Sequence, residues 1–352
     1  MSNIIAVRKG EEIDNNKLEQ YLKKELENLP DGSLKIKQFG TGASNLTYAL
    51  SIGEWEAVLR RAPFGPVAPR AHDMEREYQI LSVLSESFSL APKPLVFCED
   101  SSIVGKPFLL MERKHGVLVD TSFPNGIKPS SELGENLSEM MVDTLVKLHS
   151  LDYKGTILEK ITKPDGFLER QVYGWLARFE HSKTEDMKEV DSLKLWFEKH
   201  LPKTEENTII HYDYKLNNAL FSEDLSKMTG LFDWEMSTVG DPLIDLGVAM
   251  SYWIEDKDTP LLKYGLGEPP VTITEGFYTR EEFIHAYSLK SGRDMGNIHF
   301  YLTFAYFKLA VICQQIYIRY KKGQTNDERF SKFGEYARGF IQYSLEVSTK
   351  KY

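Results

Sequence analysis

Four side chains whose types and spacing suit phosphoryl transfer lie within residues 211–233. His211 and Asp213 form a His-x-Asp pattern. Asn218 follows that aspartate by five residues, and Asp233 comes after a further apolar stretch. Phosphoryl transfer needs a carboxylate that orients the attacking hydroxyl, and Asp213 on a loop suits this task. It also needs oxygen ligands that hold Mg²⁺ on a triphosphate, and Asn218 and Asp233 suit this because Mg²⁺ prefers hard oxygen ligands. A hairpin between these two residues would bring both to the same side of a site.

The same residues resemble the catalytic loop of the aminoglycoside phosphotransferase and choline kinase superfamily, whose members have a protein-kinase-like fold. Through this resemblance Asp213 is the expected catalytic base, and His211 is the residue that braces the loop. Asn218 and Asp233 are the expected Mg²⁺ ligands, and Asp233 stands where protein kinases have the Asp of Asp-Phe-Gly. The resemblance also implies ATP as the nucleotide. The chain departs from the common pattern at Tyr212, where many members have glycine.

A loop of small residues near the N-terminus resembles the loop that covers the nucleotide phosphates in this superfamily. Gly40, Gly42 and Ser44 lie between two predicted strands, where small residues let backbone N–H groups approach phosphate oxygens. On the third strand, Arg60 stands where the family's lysine contacts the phosphates, and arginine also offers donors to phosphate. Glu77, in the next predicted helix, is the expected acidic partner of that basic residue.

Further candidates follow from the same resemblance. Arg61 and Glu75 are the second choices for the phosphate contact and for its acidic partner. The segment from Glu112 to Lys114 resembles the hinge of kinase-like folds, where backbone N–H and C=O groups bind adenine. Glu235, two residues after the second aspartate, is a candidate for a supporting or additional metal group and is grouped with the candidate substrate residues.

A segment in the middle of the chain indicates a substrate class. Residues 166–172, Gly-Phe-Leu-Glu-Arg-Gln-Val, and Trp175 resemble the phosphotransferase-like domain that precedes an acyl-CoA dehydrogenase domain in some larger proteins. This resemblance implies a small-molecule acceptor, with its hydroxyl on a hydroxy acid or on the acyl-CoA thioester of one. Arg170 could bind a carboxylate or phosphate there through its bidentate fork, or it could be an ordinary surface residue paired with a helix carboxylate.

Two other functions stay open on the sequence. An aminoglycoside kinase would line its acceptor pocket with carboxylates for a polycationic sugar, and the net charge of −9 is compatible with this without selecting it. A pseudokinase would bind nucleotide without turnover, but a scaffold has no need of Asp213, Asn218 and Asp233 together. The residues do not decide between ATP and GTP, and they leave the acceptor and the oligomeric state open.

Hydrophobic periodicity predicts the elements that must hold these residues. Residues 1–113 are predicted to form a lobe with a small antiparallel sheet, and residues 114–352 a larger, mostly helical lobe. The resemblance implies nucleotide binding by the first lobe and catalysis and acceptor binding by the second. The predicted fold class is therefore α+β and bilobed. The predicted strands are 34–39, 46–52, 55–60, 95–98, 107–111, 208–211, 219–221 and 229–232. The predicted helices are 14–29, 72–84, 131–150, 167–180, 188–200, 280–289, 297–321 and 328–347.

Composition argues against several other classes. The 352 residues are 41% apolar and 27% charged, as is ordinary for a globular protein, and the acidic balance argues against nucleic-acid binding. Cys98 and Cys313 stand far apart in apolar surroundings and are interpreted as core residues. The longest apolar stretch, 301–318, is interrupted by Lys308 and two glutamines, and the first residues have no leader pattern. The sequence therefore predicts a soluble, cytoplasmic chain with no membrane partner.

Overall fold

The chain forms two compact units, each built from separate stretches of the sequence. The structure is a computed structural model that describes residues 4–40, 45–64, 72–325 and 327–350. Unit 1 takes in residues 1–119, 154–161 and 217–237, and unit 2 takes in 120–153, 162–216 and 238–352. A segment from the middle of the chain therefore belongs to the same unit as the N-terminal part.

Strands dominate the first third of the chain, and helices dominate the rest, which confirms the predicted α+β class. In chain order the described strands are β1 (Ile4–Ile5), β2 (Lys35–Phe39), β3 (Leu46–Ile52), β4 (Trp55–Arg61), β5 (Pro94–Cys98), β6 (Phe108–Met111), β7 (Val117–Leu118), β8 (Thr208–Ile210), β9 (Ala219–Phe221), β10 (Met228–Leu231) and β11 (Thr238–Gly240). The described α-helices are α1 (Asn15–Glu25), α2 (Met74–Ser87), α3 (Ser101–Val104), α4 (Ser131–His149), α5 (Leu158–Ile161), α6 (Phe167–Ser182), α7 (Lys188–His200), α8 (Pro242–Tyr252), α9 (Pro260–Tyr264), α10 (Arg280–Ser291), α11 (Ile298–Lys321) and α12 (Phe333–Thr349). Short 3-10 helices occur at Leu216–Asn218, Trp234–Met236, Val271–Ile273 and Glu328–Lys332.

The main sheet of unit 1 has the strand order β1-β2-β3-β4-β6-β5, and each neighbouring pair is antiparallel. β3 and β4 form a tight hairpin around Gly53, whose φ of +55° suits glycine. One face of the sheet packs against α1, and the shared core includes Leu18, Leu22, Tyr48, Leu50, Leu59, Phe108 and Leu110. α2 packs against β5 and β6. Because side chains alternate between the two faces of a strand, successive residues of β4 point to different surroundings.

Unit 1 also contains a smaller antiparallel sheet with the order β10-β9-β7. β9 and β10 form a hairpin, and Val117 and Leu118 of β7 pair with Phe221 and Leu220 of β9. This sheet ties the 217–237 segment to the end of the N-terminal part of the chain.

Unit 2 is mainly helical. α11 packs against α12, α8 and α6, and α10 packs against α4. α8 and most of α11 are buried on nearly all sides, as expected for helices that are apolar all round. A short antiparallel pair of β8 and β11 completes the unit, with Thr208 opposite Gly240.

The predicted elements agree with the structure over most of the chain. The sequence did not predict β1, β7, β11, α3, α5, α8 or α9, and residues 328–332 of the last predicted helix form a 3-10 turn before α12. Cys98 and Cys313 are buried and unpaired, as expected. Within the described ranges, no helix has both the length and the apolar character needed to cross a membrane.

Candidate active site

The loop from His211 to Lys215, here called loop 211–215, follows β8 in unit 2 and is held by one buried carboxylate. Asp245, on α8, accepts hydrogen bonds from the backbone N–H groups of His211 (2.6 Å) and Tyr212 (2.8 Å). The Nε2 atom of His149, on α4, lies 3.1 Å from the same carboxylate. An ionised carboxylate has acceptor sites for all three contacts. Asp245 therefore fixes the start of the loop.

Asp213 lies in this loop with two polar neighbours. Its Oδ2 atom is 2.9 Å from Nζ of Lys215, and the hydroxyl of Tyr252, on α8, donates a hydrogen bond to it. Burial, followed by the charge of Asp213, raises the pKa of Tyr252 well above its usual value, so this hydroxyl keeps its proton. The Asp213 side chain is 13% exposed. Its carboxylate is thus oriented by donors and still open to a reactant.

His211 serves the conformation of the loop. Its side chain is buried, and its Nδ1 atom lies 3.3 Å from the backbone N–H of Asp213, which donates to it. Its ring packs edge-on against Tyr214. These contacts agree with the bracing role that the resemblance implies for His211.

In unit 1, the β9–β10 hairpin sets Asn218 and Asp233 at the same end of two paired strands. Ala219 and Leu231 are opposite each other, and the backbone N–H of Phe232 donates to the Asn218 carbonyl at 3.0 Å. Asn218 is the residue before β9, and Asp233 is the second residue after β10. The hairpin expected between the two candidate ligands is therefore present.

One guanidinium group faces three carboxylates beside this hairpin. Arg60, on β4, forms a buried ion pair with Glu77 of α2. Its Nη2 atom lies 3.3 Å from Oδ1 of Asp233 and 3.5 Å from Oε2 of Glu235. Burial opposes the charge of Arg60, but the three carboxylates raise its pKa above the usual value. Burial also raises the pKa of Glu77 to about 7. Arg60 thus holds Glu77, Asp233 and Glu235 together beside the hairpin.

A chain of hydrogen bonds connects this cluster to the end of the glycine loop. Asn45 donates from Nδ2 to Glu235 at 2.7 Å, and its Oδ1 atom is 2.7 Å from Nδ1 of His72. Gly40 is placed at the end of β2, where its carbonyl accepts from Arg8 at 3.0 Å. Gly42 and Ser44 lie outside the described residues.

Arg61 and Glu75, the second choices, occupy different surroundings. Arg61 points to the other face of β4, where it is fully buried. There it donates to the carbonyls of Val104 and Glu11 and to the hydroxyl of Tyr48. Glu75 is exposed on α2. Arg60 and Glu77, not their alternatives, form the pair expected from the sequence.

The hinge candidates Glu112 and Lys114 follow β6. The backbone N–H of Glu112 donates to the Lys93 carbonyl at 2.8 Å, and its side chain accepts from Nζ of Lys114 at 2.9 Å. Gly230 lies close to this segment, because a Cβ there would be 3.0 Å from Cβ of Lys114. The N–H of Glu112 is therefore already used within the fold.

Arg170 and Trp175, the acceptor candidates, both lie on α6 in unit 2. Arg170 is exposed and donates to the backbone carbonyls of Lys163 and Asp165, just before the helix. Trp175 is 7% exposed, and the guanidinium of Arg178 lies 4.5 Å from the centre of its ring. Arg170 thus stabilises the entry to the helix, and Trp175 is part of the core around it.

Comparison with known proteins identifies the group to which this arrangement belongs. Residues 35–268, two thirds of the chain, match the family described as "APH: Phosphotransferase enzyme family". The chain belongs to this phosphotransferase family. The family is one of phosphotransferase enzymes, which agrees with the resemblance found in the sequence.

Similar proteins agree with this assignment. Over 351 residues the chain is 32% identical to acyl-CoA dehydrogenase family member 10 of Mus musculus. The alignment covers 99% of this chain and 32% of the mouse protein. The chain thus spans about a third of that relative. A provisionally assigned aminoglycoside phosphotransferase of Ralstonia eutropha JMP134 has a TM-score of 0.80 at 28% identity, covering 97% of this chain and 100% of that one. The choline kinase of Cryptosporidium parvum Iowa II shares the fold, with a TM-score of 0.62 at 13% identity and 95% coverage of both chains.

The donor set of this phosphotransferase fits Mg²⁺. Asn218 offers an amide oxygen, and Asp233 offers a carboxylate that is 32% exposed. Mg²⁺ sites that share the ion with nucleotide phosphates use one or two carboxylates, and the remaining positions go to phosphate and water. Across the described ranges, no group of three or more His, Cys, Asp and Glu side chains is arranged to hold a metal.

Sequence reasoning missed two residues of this site. Lys215 forms the ion pair with Asp213, and Tyr252 donates to the same carboxylate. Lys215 stands only two residues after Asp213, so its position beside the expected base was a usable signal. Tyr252 comes from a helix that the sequence did not predict, and no local pattern connects it to the loop.

Proposed function

We propose that this protein is an ATP- and Mg²⁺-dependent kinase that phosphorylates the hydroxyl of a hydroxy acid or of a hydroxyacyl-CoA. The observation that carries the proposal is the setting of Asp213. Its carboxylate accepts from Lys215 and Tyr252 in a loop fixed by Asp245. Such a carboxylate is partly exposed and oriented by donors, which is what a group that accepts a proton from an attacking hydroxyl requires.

In the proposed reaction Asp213 accepts the proton of the acceptor hydroxyl. The hydroxyl oxygen forms a bond to the γ-phosphorus of ATP, and the bond from that phosphorus to the β–γ bridging oxygen breaks. ADP leaves with the electron pair of the broken bond. Catalysis of this type depends on positioning and on neutralising phosphate charge, because the protein forms no covalent bond of its own.

Residues of unit 1 are the proposed nucleotide side of the enzyme. Asn218 and Asp233 would hold Mg²⁺, which supplies neutralisation of phosphate charge when bound. Arg60 is the proposed phosphate contact, held by Glu77. Two backbone segments complete this side: the glycine loop with Gly40, Gly42 and Ser44, and the hinge from Glu112 to Lys114. Glu235 is a proposed supporting group, because it accepts from Asn45 at the end of that loop.

Two observations support an anionic acceptor over a polycationic one. Lys215, Arg178 and the buried Lys308 lie near loop 211–215 in unit 2, against the two carboxylates of Asp213 and Asp245. The remaining positive charge favours a carboxylate or phosphate on the acceptor and disfavours an aminoglycoside. In addition, the mouse relative is named for acyl-CoA dehydrogenase chemistry. Arg170 is a less favoured acceptor residue, because it already donates to the backbone.

The proposal predicts that Asp213→Asn removes nearly all turnover. Losing a general base reduces the rate by roughly 10²–10⁴-fold. The binding of Mg·ATP is expected to stay within about twofold of the wild type, because the residues proposed to bind the nucleotide are unchanged. The measurement is Mg²⁺-dependent ADP release with a panel of acceptors. The panel holds short and medium hydroxy acids, their CoA thioesters, aminoglycosides and choline.

Asp191→Asn, on the exposed side of α7, is the matched control and should retain full activity. Stimulation by hydroxy acids or their thioesters, lost in Asp213→Asn alone, is the expected result. Stimulation by aminoglycosides would replace the acceptor assignment. Unchanged activity of Asp213→Asn would show that this carboxylate is not the base, and failure of the wild type to bind Mg·ATP would end the kinase proposal.

A further inference from the structure

A buried lysine lies behind loop 211–215. Lys308, in the middle of α11, is 1% exposed, and most of its helix neighbours are aromatic or aliphatic. A buried ammonium group is costly unless it is hydrogen-bonded or paired. Its Nζ atom donates to the backbone carbonyl of Tyr212 at 3.1 Å and lies 4.0 Å from the centre of the Tyr212 ring. Lys308 thus contacts both the backbone and the side chain of Tyr212.

Tyr212 has a backbone conformation that is unfavourable for residues with a bulky side chain. Its φ is +65°, in the left-handed region that glycine adopts readily and bulky residues rarely adopt. Many members of the superfamily that the chain resembles have glycine at this position. A tyrosine here therefore needs contacts that stabilise its left-handed backbone. The Tyr212 hydroxyl donates to Gln171 at 3.0 Å, and its ring packs edge-on against Phe167.

The Tyr212 carbonyl belongs to the peptide unit that joins Tyr212 to Asp213. That unit is planar, so fixing both of its ends fixes the direction in which the next residue leaves. On one side its C=O accepts from Lys308, and on the other its N–H donates to Nδ1 of His211. Both polar groups of the peptide unit before Asp213 are therefore held by hydrogen bonds.

We propose that Lys308 is a positioning residue for phosphoryl transfer, which holds the left-handed backbone at Tyr212 and so aims the Asp213 carboxylate. This rests on the proposed role of Asp213 as the base. Lys308 touches no reacting atom in this account. It allows a tyrosine to occupy a position at which the family commonly has glycine.

The protonation of Lys308 sets the pH range in which it can hold the Tyr212 carbonyl. Burial lowers the pKa of Lys308 to about 8. Asp213 from the loop and Asp245 from α8 favour its charged form, whereas Lys215 from the loop and Arg178 from α6 oppose it. Lys308 is therefore protonated at neutral pH and loses its proton as the pH rises through about 8.

The experiment compares Lys308→Met, which keeps the apolar stem, with Lys308→Arg, which keeps the charge and the donor. Lys308→Met is expected to lower kcat by about 10- to 100-fold, because a small misplacement of a catalytic group costs that much. KM for Mg·ATP is expected to stay unchanged. Lys308→Arg is expected to recover most of the lost kcat.

Two further readouts separate positioning from a general structural role. In a Tyr212→Gly background, Lys308→Met is expected to lower kcat only a few-fold, because glycine adopts the left-handed conformation without help. The kcat of the wild type is expected to fall above about pH 8, where Lys308 loses its proton. The Lys308→Arg variant is expected to keep its activity there, because arginine stays protonated.

Each outcome bears on the proposal. An equal loss from Lys308→Met in both backgrounds, or no loss in either, would overturn it. If Lys308→Met shows no cooperative unfolding transition, the comparison of wild type and Lys308→Arg above pH 8 decides, and identical profiles would overturn it. Asp213→Asn is measured in parallel. Activity of that variant would end the proposed function itself, whereas its inactivity with an unaffected Lys308→Met would end only the role of Lys308.

Discussion

At the scale of single residues, burial sets the protonation state of His149. Asp245 can only accept, so Nε2 of His149 carries the hydrogen that it donates at 3.1 Å. Nδ1 of His149 lies 2.7 Å from the hydroxyl of Tyr287, which also accepts from Arg293. Burial lowers the pKa of His149, which favours the neutral imidazole, and in that form Nδ1 accepts from Tyr287.

A neutral buried histidine predicts a loss of stability in acid. An unfolded chain protonates this side chain below a pH of about 6.5, whereas the folded state resists protonation because of the lowered pKa. The free energy of unfolding therefore falls as the pH decreases through that value, by about 1.4 kcal/mol for each unit of pKa difference. Asp245 acts in a different window. Burial opposes its ionisation, but the hydrogen bond with His149 keeps its pKa low, so its contribution is lost only near pH 4 and below.

Urea denaturation between pH 7.5 and 5 tests this prediction. His149→Gln keeps a donor toward Asp245 but cannot titrate, so its free energy of unfolding should depend less on pH in this range. His181→Gln, at an exposed position of α6, is the matched control and should behave like the wild type. Equal pH dependence in the wild type and His149→Gln would contradict the neutral assignment.

Residue types predicted the chemistry well, but single residues could not always be placed. Arg60 and Arg61 are adjacent, and only the strand's alternation and the position of the core decide which one meets Glu77. The sequence contains that alternation, but it does not say which face α2 covers. The contact of Lys308 with Tyr212 joins residues 96 positions apart, so no local spacing could indicate it.

At the scale of elements, α8 and α11 approach each other closely at a glycine. A Cβ at Gly247 of α8 would lie 2.8 Å from the backbone carbonyl oxygen of Tyr301 on α11, where no flexible side chain can yield. Gly247→Ala is therefore expected to push the two helices apart and to lower the free energy of unfolding by about 1–3 kcal/mol. Because α8 carries Asp245 and α11 carries Lys308, kcat is expected to fall as well.

Gly174→Ala, within α6, provides the opposite case. The nearest atom to a Cβ there is the end of the Arg178 side chain, at 4.0 Å. With space available, alanine should stabilise the helix by up to about 1 kcal/mol, because it restricts the unfolded chain and favours the helix. The two unfolding free energies are measured side by side. A stabilising effect at Gly247 would refute the close packing of α8 on α11.

The elements best predicted were those with one buried face. α1, α4 and α6 have apolar stripes at helical spacing, and β3 and β4 are separated by a clear turn. α8 was missed because it is buried on nearly all sides, so that no polar face marks its period. Its start is capped by Asp241, which accepts from the N–H of Leu243 at 2.9 Å.

At the scale of the whole molecule, unit 1 is discontinuous in sequence. Among the described residues, the core cluster between the main sheet and α1 comes from the first 110 residues, so that part contains an apolar interior. The 217–237 segment adds to it through β7 and β9, through the edge-on contact of Phe88 with Trp234, and through the bond from the Leu231 N–H to the Leu90 carbonyl at 2.9 Å. A single cut after residue 113, the lobe boundary predicted from the sequence, would separate Phe88 from Trp234 and Leu90 from Leu231.

This organisation predicts that a peptide of residues 217–237 stabilises a fragment of residues 1–119. The fragment should keep the antiparallel sheet, because its core is complete. A peptide that binds only the folded fragment raises its stability by RT ln(1 + [L]/Kd), or about 2.7 kcal/mol at one hundred times Kd. The urea midpoint of the fragment should therefore rise with peptide concentration and then follow this logarithm. A peptide with Trp234→Ala, which loses the contact with Phe88, should need a higher concentration for the same shift. If the wild-type peptide leaves the midpoint unchanged while the sheet is folded, the hairpin depends on the continuous chain and not on the N-terminal part for its place.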